Sequence, residues 1–299
     1  MSAAALLSGL VVSSHGRHCV VETDDGQRRI CHPRGKKNAV VVGDRVNWQI
    51  SGDEGSIEGV ESRRNLFYRQ DEVRTKSFAA NLDQVLILVA AEPEFSEMQL
   101  TRALIAAQAQ GIAPLIALNK QDLEAPFARA KARLQPYEVM GYEVLSLSVK
   151  HGALADLPAR LQGKTTLILG PSGTGKSSLL NHLVPHAQAS TGEISQALNS
   201  GRHTTTSTTW YWMNDTRTTA LIDSPGFQEF GLRHIEATQL AFLMPDFQPH
   251  VAQCKFSNCT HLHEPQCAVQ AALEQGQISA SRYKLYGLLF EELSQTMHY

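Results

Sequence analysis

Apolar and polar positions divide the chain into three stretches of different texture. Residues 1 to about 66 contain short apolar and β-branched runs, separated by turn signals such as Asp24-Asp25-Gly26. About five strands in this length predict a small β-barrel of the OB-fold type. The strand signal lies in Gly9 to Val12, Cys19 to Glu22, Ala39 to Val42 and Arg45 to Trp48. Whether such a barrel binds a ligand or only packs on its neighbour stays open at this point.

Residues 80 to about 235 follow a different rhythm. Val85 to Ala90 is a continuous apolar run, as expected for a strand buried on both faces. A helix follows, with Ser96 and Gln99 as a capping box and Gly111 as its end. Further buried strands are predicted at 114–118, 143–147, 165–169 and 218–222. This alternation of strands and helices predicts an α/β layer with a mostly parallel sheet.

The last stretch contains clustered cysteines followed by two helical segments, at about 266–275 and 278–296. The sequence therefore predicts a multidomain protein with an N-terminal β-barrel (OB-fold), a central α/β P-loop domain and a C-terminal α-helical metal-binding domain. We place the boundaries at 1–66, 67–235 and 236–299.

Composition narrows the possible classes of protein. The chain has 299 residues, of which 42% are apolar and 19% charged, and its net charge is −2. These values are typical of ordinary globular domains and argue against a uniformly basic nucleic-acid binder. Any RNA contact would come from local patches such as Arg34-Gly35-Lys36-Lys37 or Arg63-Arg64, although clusters of this size are more often only solvated surface. No uncharged apolar stretch approaches the ~20 residues that span a bilayer, so we expect a soluble intracellular protein.

A phosphate-binding loop follows the strand at 165–169. The pattern G-x-x-x-x-G-K-S lets successive backbone N–H groups turn toward phosphates, while its lysine reaches the β- and γ-phosphates and its serine hydroxyl binds Mg²⁺. A helix predicted from about Ser178 points its N-terminus at the same anion. The predicted phosphate-binding residues are Gly170, Pro171, Ser172, Gly173, Thr174, Gly175, Lys176, Ser177 and Ser178.

The base is indicated by a second motif, Asn119-Lys120-Gln121-Asp122, at the end of the strand at 114–118. In an N-K-x-D turn the aspartate accepts hydrogen bonds from the N1–H and 2-amino groups of guanine, a donor pair that adenine lacks. The lysine stem can lie over the base, and Asn119 can tie this turn to the phosphate loop. Ser148 fits a further base-contacting loop, although Val149 stands where alanine or serine is usual.

The magnesium and γ-phosphate side is supplied by two more elements. Asp223-Ser224-Pro225-Gly226 reads as D-x-P-G, in which Asp223 would hold Mg²⁺ through water and the Gly226 N–H would contact the γ-phosphate. The run Gly201 to Thr206 lies where a first switch belongs, and we expect Thr205 to reach the metal when GTP is bound.

The order of these motifs is permuted. In the usual GTPase the phosphate loop comes first and N-K-x-D last, whereas here N-K-x-D precedes the phosphate loop by about fifty residues. Such a cut and rejoining preserves the sheet because chain termini usually lie close together at the surface. The second switch, residues 223–232, then leads directly into the cysteine-rich segment, so nucleotide state is predicted to tilt the C-terminal domain.

Three cysteines and one histidine have the spacing of a metal site. Cys254, Cys259, His261 and Cys267 form C-x4-C-x-H-x5-C, a closed tetrahedral set for one structural Zn²⁺ ion. His263 is a rival imidazole and His250 a weaker one. The alternative is a set of unliganded buried cysteines.

Together, these motifs resemble the RsgA (YjeQ) family of GTPases that depend on the small ribosomal subunit. The likeness extends to an OB-like N-terminus with Ser14-His15-Gly16-Arg17 and Arg63-Arg64-Asn65-Leu66. The resemblance implies a bacterial cytoplasmic GTPase that uses GTP/GDP, Mg²⁺ and Zn²⁺. It also implies binding to the 30S subunit and its rRNA and a role in late subunit maturation. We expect the protein to be a monomer.

Hydrolysis is expected to be slow without a partner. The position after the D-x-P-G glycine, where many GTPases carry a water-orienting glutamine, is Phe227, and Gln228 comes one residue later. His203 is our candidate for positioning the attacking water; its alternative is a loop histidine or RNA contact. Two other functions compete: an OB/zinc RNA-binding module with a regulatory nucleotide site, and a P-loop kinase, against which Asn119 to Asp122 argue.

Overall fold

The computed structural model describes residues 6–15, 18–34, 40–71, 74–185, 208–225 and 230–295. Eleven strands of this part of the chain form one sheet in the order β10-β9-β8-β11-β13-β12-β1-β2-β3-β5-β4, and β6 and β7 form a separate hairpin. The predicted multidomain class, with barrel, α/β layer and helical cysteine module, is confirmed.

The N-terminal strands close into a five-stranded barrel. They are β1 (Leu7–His15), β2 (His18–Glu22), β3 (Arg28–Pro33), β4 (Arg45–Ser51) and β5 (Glu54–Val60). The barrel closes because β1 pairs with both β2 and β4, while β3 and β5 run parallel. This order around the barrel is that of an OB-fold. Its interior is filled by apolar side chains that include Val11, Cys31 and Trp48.

One predicted strand of the barrel was wrong. Of the run Ala39 to Val42, the described residues contain only an isolated bridge from Val42 to Ala79. The third strand is instead β3, in which Cys31 is the one fully buried side chain. Its apolar signal is weak because Arg28 lies outside the barrel and pairs with Glu22 at 2.8 Å.

The central layer contains the predicted alternation of strands and helices. Its elements are β8 (Gln84–Ala90), α1 (Glu97–Ala109), β9 (Ala113–Asn119), α2 (Glu124–Val139), β10 (Val144–Ser146), η1 (Val149–His151), α3 (Leu157–Leu161), β11 (Thr165–Leu169), α4 (Lys176–Leu183), β12 (Thr208–Trp212) and β13 (Ala220–Asp223). The five strands β10, β9, β8, β11 and β13 are parallel, and β12 is antiparallel. The predicted cap of α1 is present, since Ser96 Oγ accepts from the Gln99 N–H at 3.3 Å.

The hairpin β6 (Leu66–Gln70) and β7 (Thr75–Ala80) lies between the barrel and this layer. It pairs with the end of the second switch and the residue after it, because Gln70 N donates to Gly231 O at 3.0 Å and Arg233 N donates to Gln70 O at 3.0 Å. A Cβ on Gly231 would lie 2.3 Å from Gln70 O, so only glycine permits this approach.

The C-terminal module consists of η2 (Ala237–Leu243), α5 (Gln248–Val251), α6 (Ala268–Glu274) and α7 (Ala280–Ser294). A buried ion pair fixes α7 to the central layer: Arg282 donates to both oxygens of Asp246, at 2.9 and 3.0 Å, and to Thr101 Oγ of α1 at 2.8 Å. No helix in the described ranges combines the length and the apolar character needed to cross a bilayer.

The barrel is joined to the central sheet by hydrogen bonds. Strand β1 pairs with β12 through Ser13 and Ser14, opposite Thr209 and Thr208. Beside this ladder, the buried carboxylate of Glu22 accepts from Trp212 Nε1 at 2.7 Å. The barrel is thus continuous with the strand that follows the first switch.

Candidate nucleotide site and metal centre

The candidate nucleotide site lies at one edge of the parallel sheet. Strands β8, β9, β10, β11 and β13 run in the same direction, so the loops at their carboxyl ends gather at that edge. Ligands of open α/β sheets bind at this edge. The structure brings the predicted phosphate loop after β11, the N-K-x-D turn after β9 and Asp223 at the end of β13 to this one place.

Glycines shape the phosphate loop between β11 and α4. Gly173 and Gly175 have φ angles of 82° and 98°, which side chains with a Cβ rarely adopt. A Cβ on Gly170 would lie 2.4 Å from Leu88 O, and one on Gly175 would lie 2.5 Å from Asn119 Nδ2. The loop can therefore pack directly against β8 and the N-K-x-D turn. Helix α4 begins at Lys176, two residues before the predicted start.

Asn119 connects the predicted base and phosphate loops, as expected. Its Nδ2 donates to Thr174 O at 2.9 Å, and its Oδ1 accepts from Val149 N at 3.0 Å. Since Asn119 is buried, these bonds satisfy polar atoms that water does not reach. Val149 contributes a backbone N–H, which explains why valine can stand where a small residue is usual.

A neighbouring hydroxyl group holds the carboxylate of Asp122 in place. Ser148 Oγ donates to Asp122 Oδ1 at 2.8 Å, and His151 Nε2 lies 3.8 Å from the other oxygen. The Ser148 hydrogen bond is the main cause that lowers the pKa of Asp122, so the carboxylate is ionised and able to accept. Lys120, whose φ is 69°, donates to the carbonyl of Glu92 in the loop after β8. Gln121 is exposed and its N–H bonds to Leu147 O at 2.9 Å.

Asp223 provides the acidic group of the site, and it lies opposite Ile168 in the parallel β11–β13 ladder. Burial raises the pKa of Asp223 to about 6, although the charge of Lys176 acts in the opposite direction. Lys176 Nζ donates to Gly170 O at 2.6 Å and to Pro171 O at 3.1 Å, and burial lowers its pKa. The Asp223 carboxylate and the Ser177 hydroxyl are the hard oxygen donors that suit Mg²⁺.

Three residues predicted for the switches, His203, Thr205 and Gly226, lie outside the described residues, as do Phe227 and Gln228. Pro171 and the exposed Ser172 and Gly173 form the tip of the phosphate loop, and Ser178 lies in the first turn of α4.

The four predicted metal ligands converge. One ligand atom from each of Cys254, Cys259, His261 and Cys267 lies within 4.8 Å of all the others. Cys254 Sγ is 3.4 Å from His261 Nδ1 and 3.9 Å from Cys267 Sγ, and Cys267 Sγ is 3.6 Å from the same nitrogen. A tetrahedral Zn²⁺ with ordinary bond lengths separates two sulfurs by about 3.8 Å, and a sulfur from a nitrogen by about 3.6 Å. The cluster therefore fits one zinc ion through Nδ1 of His261.

The rival imidazole is not in this cluster. His263 is exposed, and its N–H bonds to Glu264 Oε2 at 3.2 Å. A second set of contacts, missed by sequence analysis, holds the ligand loop. Glu264 accepts from Thr260 N and Oγ1 at 2.8 and 2.6 Å, and Tyr283 and Tyr286 donate to the carbonyls of His261 and Thr260 at 2.7 and 2.8 Å. Burial alone would raise the pKa of Glu264, but the Thr260 hydrogen bonds bring it to about 2.

The two arginines of one proposed RNA patch have structural partners. Arg63 donates to both oxygens of the buried Asp44, at 2.7 and 2.8 Å. Arg64 contacts Asp83 at 3.0 Å and the carbonyl of Asn81 at 2.7 Å. These contacts hold the segment between the barrel and the β6–β7 hairpin, while the Arg64 side chain stays 61% exposed.

A chain of contacts leads from the end of the second switch to α7. Arg102 of α1 donates to the Phe230 carbonyl at 3.3 Å and forms a two-point ion pair with Glu292 of α7. Arg233 donates to the Glu292 carbonyl at 2.9 Å. Sequence spacing holds no signal for these contacts, because Arg102 and Glu292 are 190 residues apart.

Comparison with known proteins identifies related GTPases along the whole chain. The family model described as RsgA GTPase matches residues 60–233. A protein named small ribosomal subunit biogenesis GTPase RsgA from Variovorax paradoxus is 66% identical, over 99% of this chain and 96% of that protein. A protein of the same name from Burkholderia pseudomallei is 53% identical, over 96% of this chain and 92% of its own length.

Two solved structures share the fold. YloQ, described as a circularly permuted GTPase, superposes with a TM-score of 0.72 at 28% identity, covering 99% of this chain and 97% of YloQ. YjeQ from Thermotoga maritima gives a TM-score of 0.73 at 31% identity, covering 97% of this chain and 99% of YjeQ. Motif order, site geometry and these matches agree: the chain belongs to the RsgA GTPase family and is a circularly permuted GTP hydrolase.

Proposed function

We propose that this GTPase binds the small (30S) ribosomal subunit and its rRNA and acts in late subunit maturation, hydrolysing GTP to GDP and phosphate with partner-stimulated turnover. The observation that carries the proposal is the 66% identity to a small ribosomal subunit biogenesis GTPase over 99% of the chain. That match includes the barrel and the cysteine module as well as the catalytic layer. We place the protein in the cytoplasm as a monomer.

The nucleotide would be held by the two loops that Asn119 joins. Asp122 would accept hydrogen bonds from the two guanine donors, and Ser148 would fix the orientation of Asp122. The Lys120 stem would lie against the base. The phosphate-loop N–H groups and Lys176 would bind the phosphates. Mg²⁺, when bound, neutralises charge that develops on the phosphates. Ser177 would hold it directly, Asp223 would hold it through water, and Thr205 and the Gly226 N–H would complete the γ-phosphate side.

His203 is proposed to position the attacking water. The support is chemical: Phe227 stands where many GTPases carry a glutamine, and a phenylalanine ring cannot orient water through a hydrogen bond. Without a positioned water, intrinsic hydrolysis is expected to be slow. A partner that completes such a site raises the rate by about 10³–10⁵.

The C-terminal module would follow the nucleotide state. Arg102 joins the Phe230 carbonyl to Glu292 of α7, so a movement of the second switch would be felt by that helix. The zinc centre would keep the module rigid enough for a displacement at α7 to move it as one body.

The test is GTP hydrolysis by the purified protein at fixed Mg²⁺, alone, with small ribosomal subunits, and with large subunits as the control. We expect strong stimulation by small subunits only. Equal stimulation by both subunits, or by unrelated RNA, would remove the proposed partner. His203→Ala is expected to abolish the stimulation with normal GTP affinity, whereas Gln228→Ala should keep it; full stimulation of His203→Ala would exclude the water-positioning role.

A further inference from the structure

An imidazole outside the nucleotide motifs lies beside the carboxylate that is proposed to recognise the base. His151 Nε2 is 3.8 Å from Asp122 Oδ2, while Ser148 Oγ donates to Oδ1 of the same carboxylate at 2.8 Å. The two side chains therefore face different oxygens of Asp122. A shift of about 1 Å would bring His151 Nε2 within hydrogen-bond distance of the second oxygen.

The backbone of His151 is fixed, whereas its side chain is accessible to water. His151 N donates to Ser148 O at 3.0 Å, and Gly152, whose φ is 69°, follows directly in the turn. A bridge between Ser148 and Ala153 closes the same loop. The imidazole is 59% exposed and the Asp122 carboxylate 25% exposed, so solvent protons reach the ring. The loop thus holds the ring close to Asp122 without burying either group.

Two cations of this loop act on the Asp122 carboxylate. The hydrogen bond from Ser148 lowers the pKa of Asp122 most, and the charges of His151 and Lys150 add to this lowering. A lysine keeps its charge throughout the physiological range, whereas a histidine changes its charge between about pH 5 and pH 8. Of these two cations, His151 is therefore the one whose charge responds to pH.

A protonated imidazole next to Asp122 competes with the base for the carboxylate. Hydrogen bonds to an ionised carboxylate are stronger than those to a neutral acceptor, and a neighbouring cation offsets the charge on which that strength depends. Guanine offers the carboxylate two donors, N1–H and the 2-amino group, whereas hypoxanthine offers only N1–H. GDP therefore loses more affinity than inosine diphosphate (IDP) when the acceptor weakens. The ratio of the two affinities reports the state of Asp122.

We propose that His151 is a positioning residue for guanine recognition: in acid its imidazolium binds Asp122 and weakens the preference of the site for guanine over hypoxanthine. The proposal rests on the proposed function in one point, the role of Asp122 as the acceptor of the guanine donors. At higher pH the uncharged ring leaves the carboxylate to the base. The selectivity of the site for guanine thus rises with pH.

The measurement is the dissociation constant of the full chain for GDP and for IDP, at about pH 7.5 and at about pH 5.5, on either side of the ordinary pKa of histidine. The two nucleotides carry the same phosphates, so the ratio of their dissociation constants cancels effects of pH on the phosphate loop. We expect the preference for GDP to be about two- to fivefold greater at the higher pH, which is the effect that an exposed ion pair supplies.

Two substitutions of His151 separate its charge from any structural role. His151→Ala should keep the greater preference for GDP at both pH values, whereas His151→Lys, with its permanent cation, should keep the smaller preference at both. His182→Ala is the matched control and should retain the original pH dependence. His182 is an exposed histidine of α4 near the same turn, with its Nε2 3.4 Å from the position of a Cβ on Gly152.

The outcomes separate this proposal from the role of Asp122 itself. A preference for GDP that is the same at both pH values, or that still changes with pH in His151→Ala, would overturn the proposal while the role of Asp122 stands. Loss of the pH dependence in His182→Ala would assign it to that histidine and overturn the proposal as well. If neither the original chain nor Asp122→Asn prefers GDP to IDP at either pH, the proposed role of Asp122 falls, and this proposal falls with it.

Discussion

Removing the side chain of Asn119 tests the link between base and phosphate loops. In Asn119→Ala, the Thr174 carbonyl and the Val149 N–H each lose a buried partner. An unsatisfied buried polar group costs about 1–3 kcal/mol, so the two together cost about 2–6 kcal/mol. If half of that cost falls on nucleotide binding, the affinity for GDP drops by about 5- to 150-fold. The other half would lower the stability of the nucleotide-free protein.

The assay is a titration with a fluorescent GDP analogue, together with thermal unfolding without nucleotide. Glu124→Ala is the control, an exposed change five residues further along the chain that should alter neither quantity. Gly175→Ala approaches the same contact from the opposite side, because its Cβ would lie 2.5 Å from Asn119 Nδ2 and its φ is 98°. An Asn119→Ala protein that kept GDP affinity within about threefold and the original unfolding temperature would refute the reasoning.

Three other perturbations have defined outcomes. Arg282→Met leaves Asp246 buried without its cation and should lower the free energy of unfolding by about 3–5 kcal/mol in denaturant titrations; Arg282→Met with Asp246→Leu should recover most of it, and no recovery would contradict a charge effect. Burial raises the pKa of Asp223 to about 6 from 3.8, so the folded state binds more protons between these values. In protein free of nucleotide and magnesium, the stability that this group contributes is thus greatest below pH 3.8 and is lost as the pH rises to about 6. Asp223→Asn should abolish this pH dependence of stability. An unchanged pH profile in the variant would exclude Asp223 as its source. Glu292→Gln weakens the Arg102 pair and should reduce subunit-stimulated turnover with GDP affinity unchanged, whereas an unaltered turnover would argue against coupling through α7.

Local patterns predicted the segments that the structure brings together at the candidate nucleotide site. The phosphate loop, the N-K-x-D turn and the set of metal ligands each lie within about fifteen residues of sequence, so short-range patterns are enough to predict them. The strand at 165–169 was predicted residue for residue because its run of β-branched and apolar residues is typical of a buried strand. Permutation was visible from motif order alone.

Long-range contacts were the part that sequence could not supply. The third barrel strand was missed because only Cys31 of that strand is fully buried, which leaves no alternating signal. His261 was named as the ligand, but spacing left His263 as a rival because it does not encode the loop conformation, which includes a φ of 64° at His261. Arg63 looked like part of a cationic patch, since nothing nearby in sequence marks its partner Asp44, nineteen residues earlier.

The pairing of β1 with β12 has a consequence for the central domain taken alone. Strand β12 has β13 on one side and only the barrel on the other, and Ser13 and Ser14 are its hydrogen-bonding neighbours there. Unpaired N–H and C=O groups on such a strand invite another chain to add to the sheet. A fragment beginning at residue 67 would expose this row together with the indole of Trp212, whose Nε1 donates to Glu22 of the barrel. By pairing with β12, the barrel therefore protects the catalytic layer against self-association. This role is separate from any binding of a ligand by the barrel.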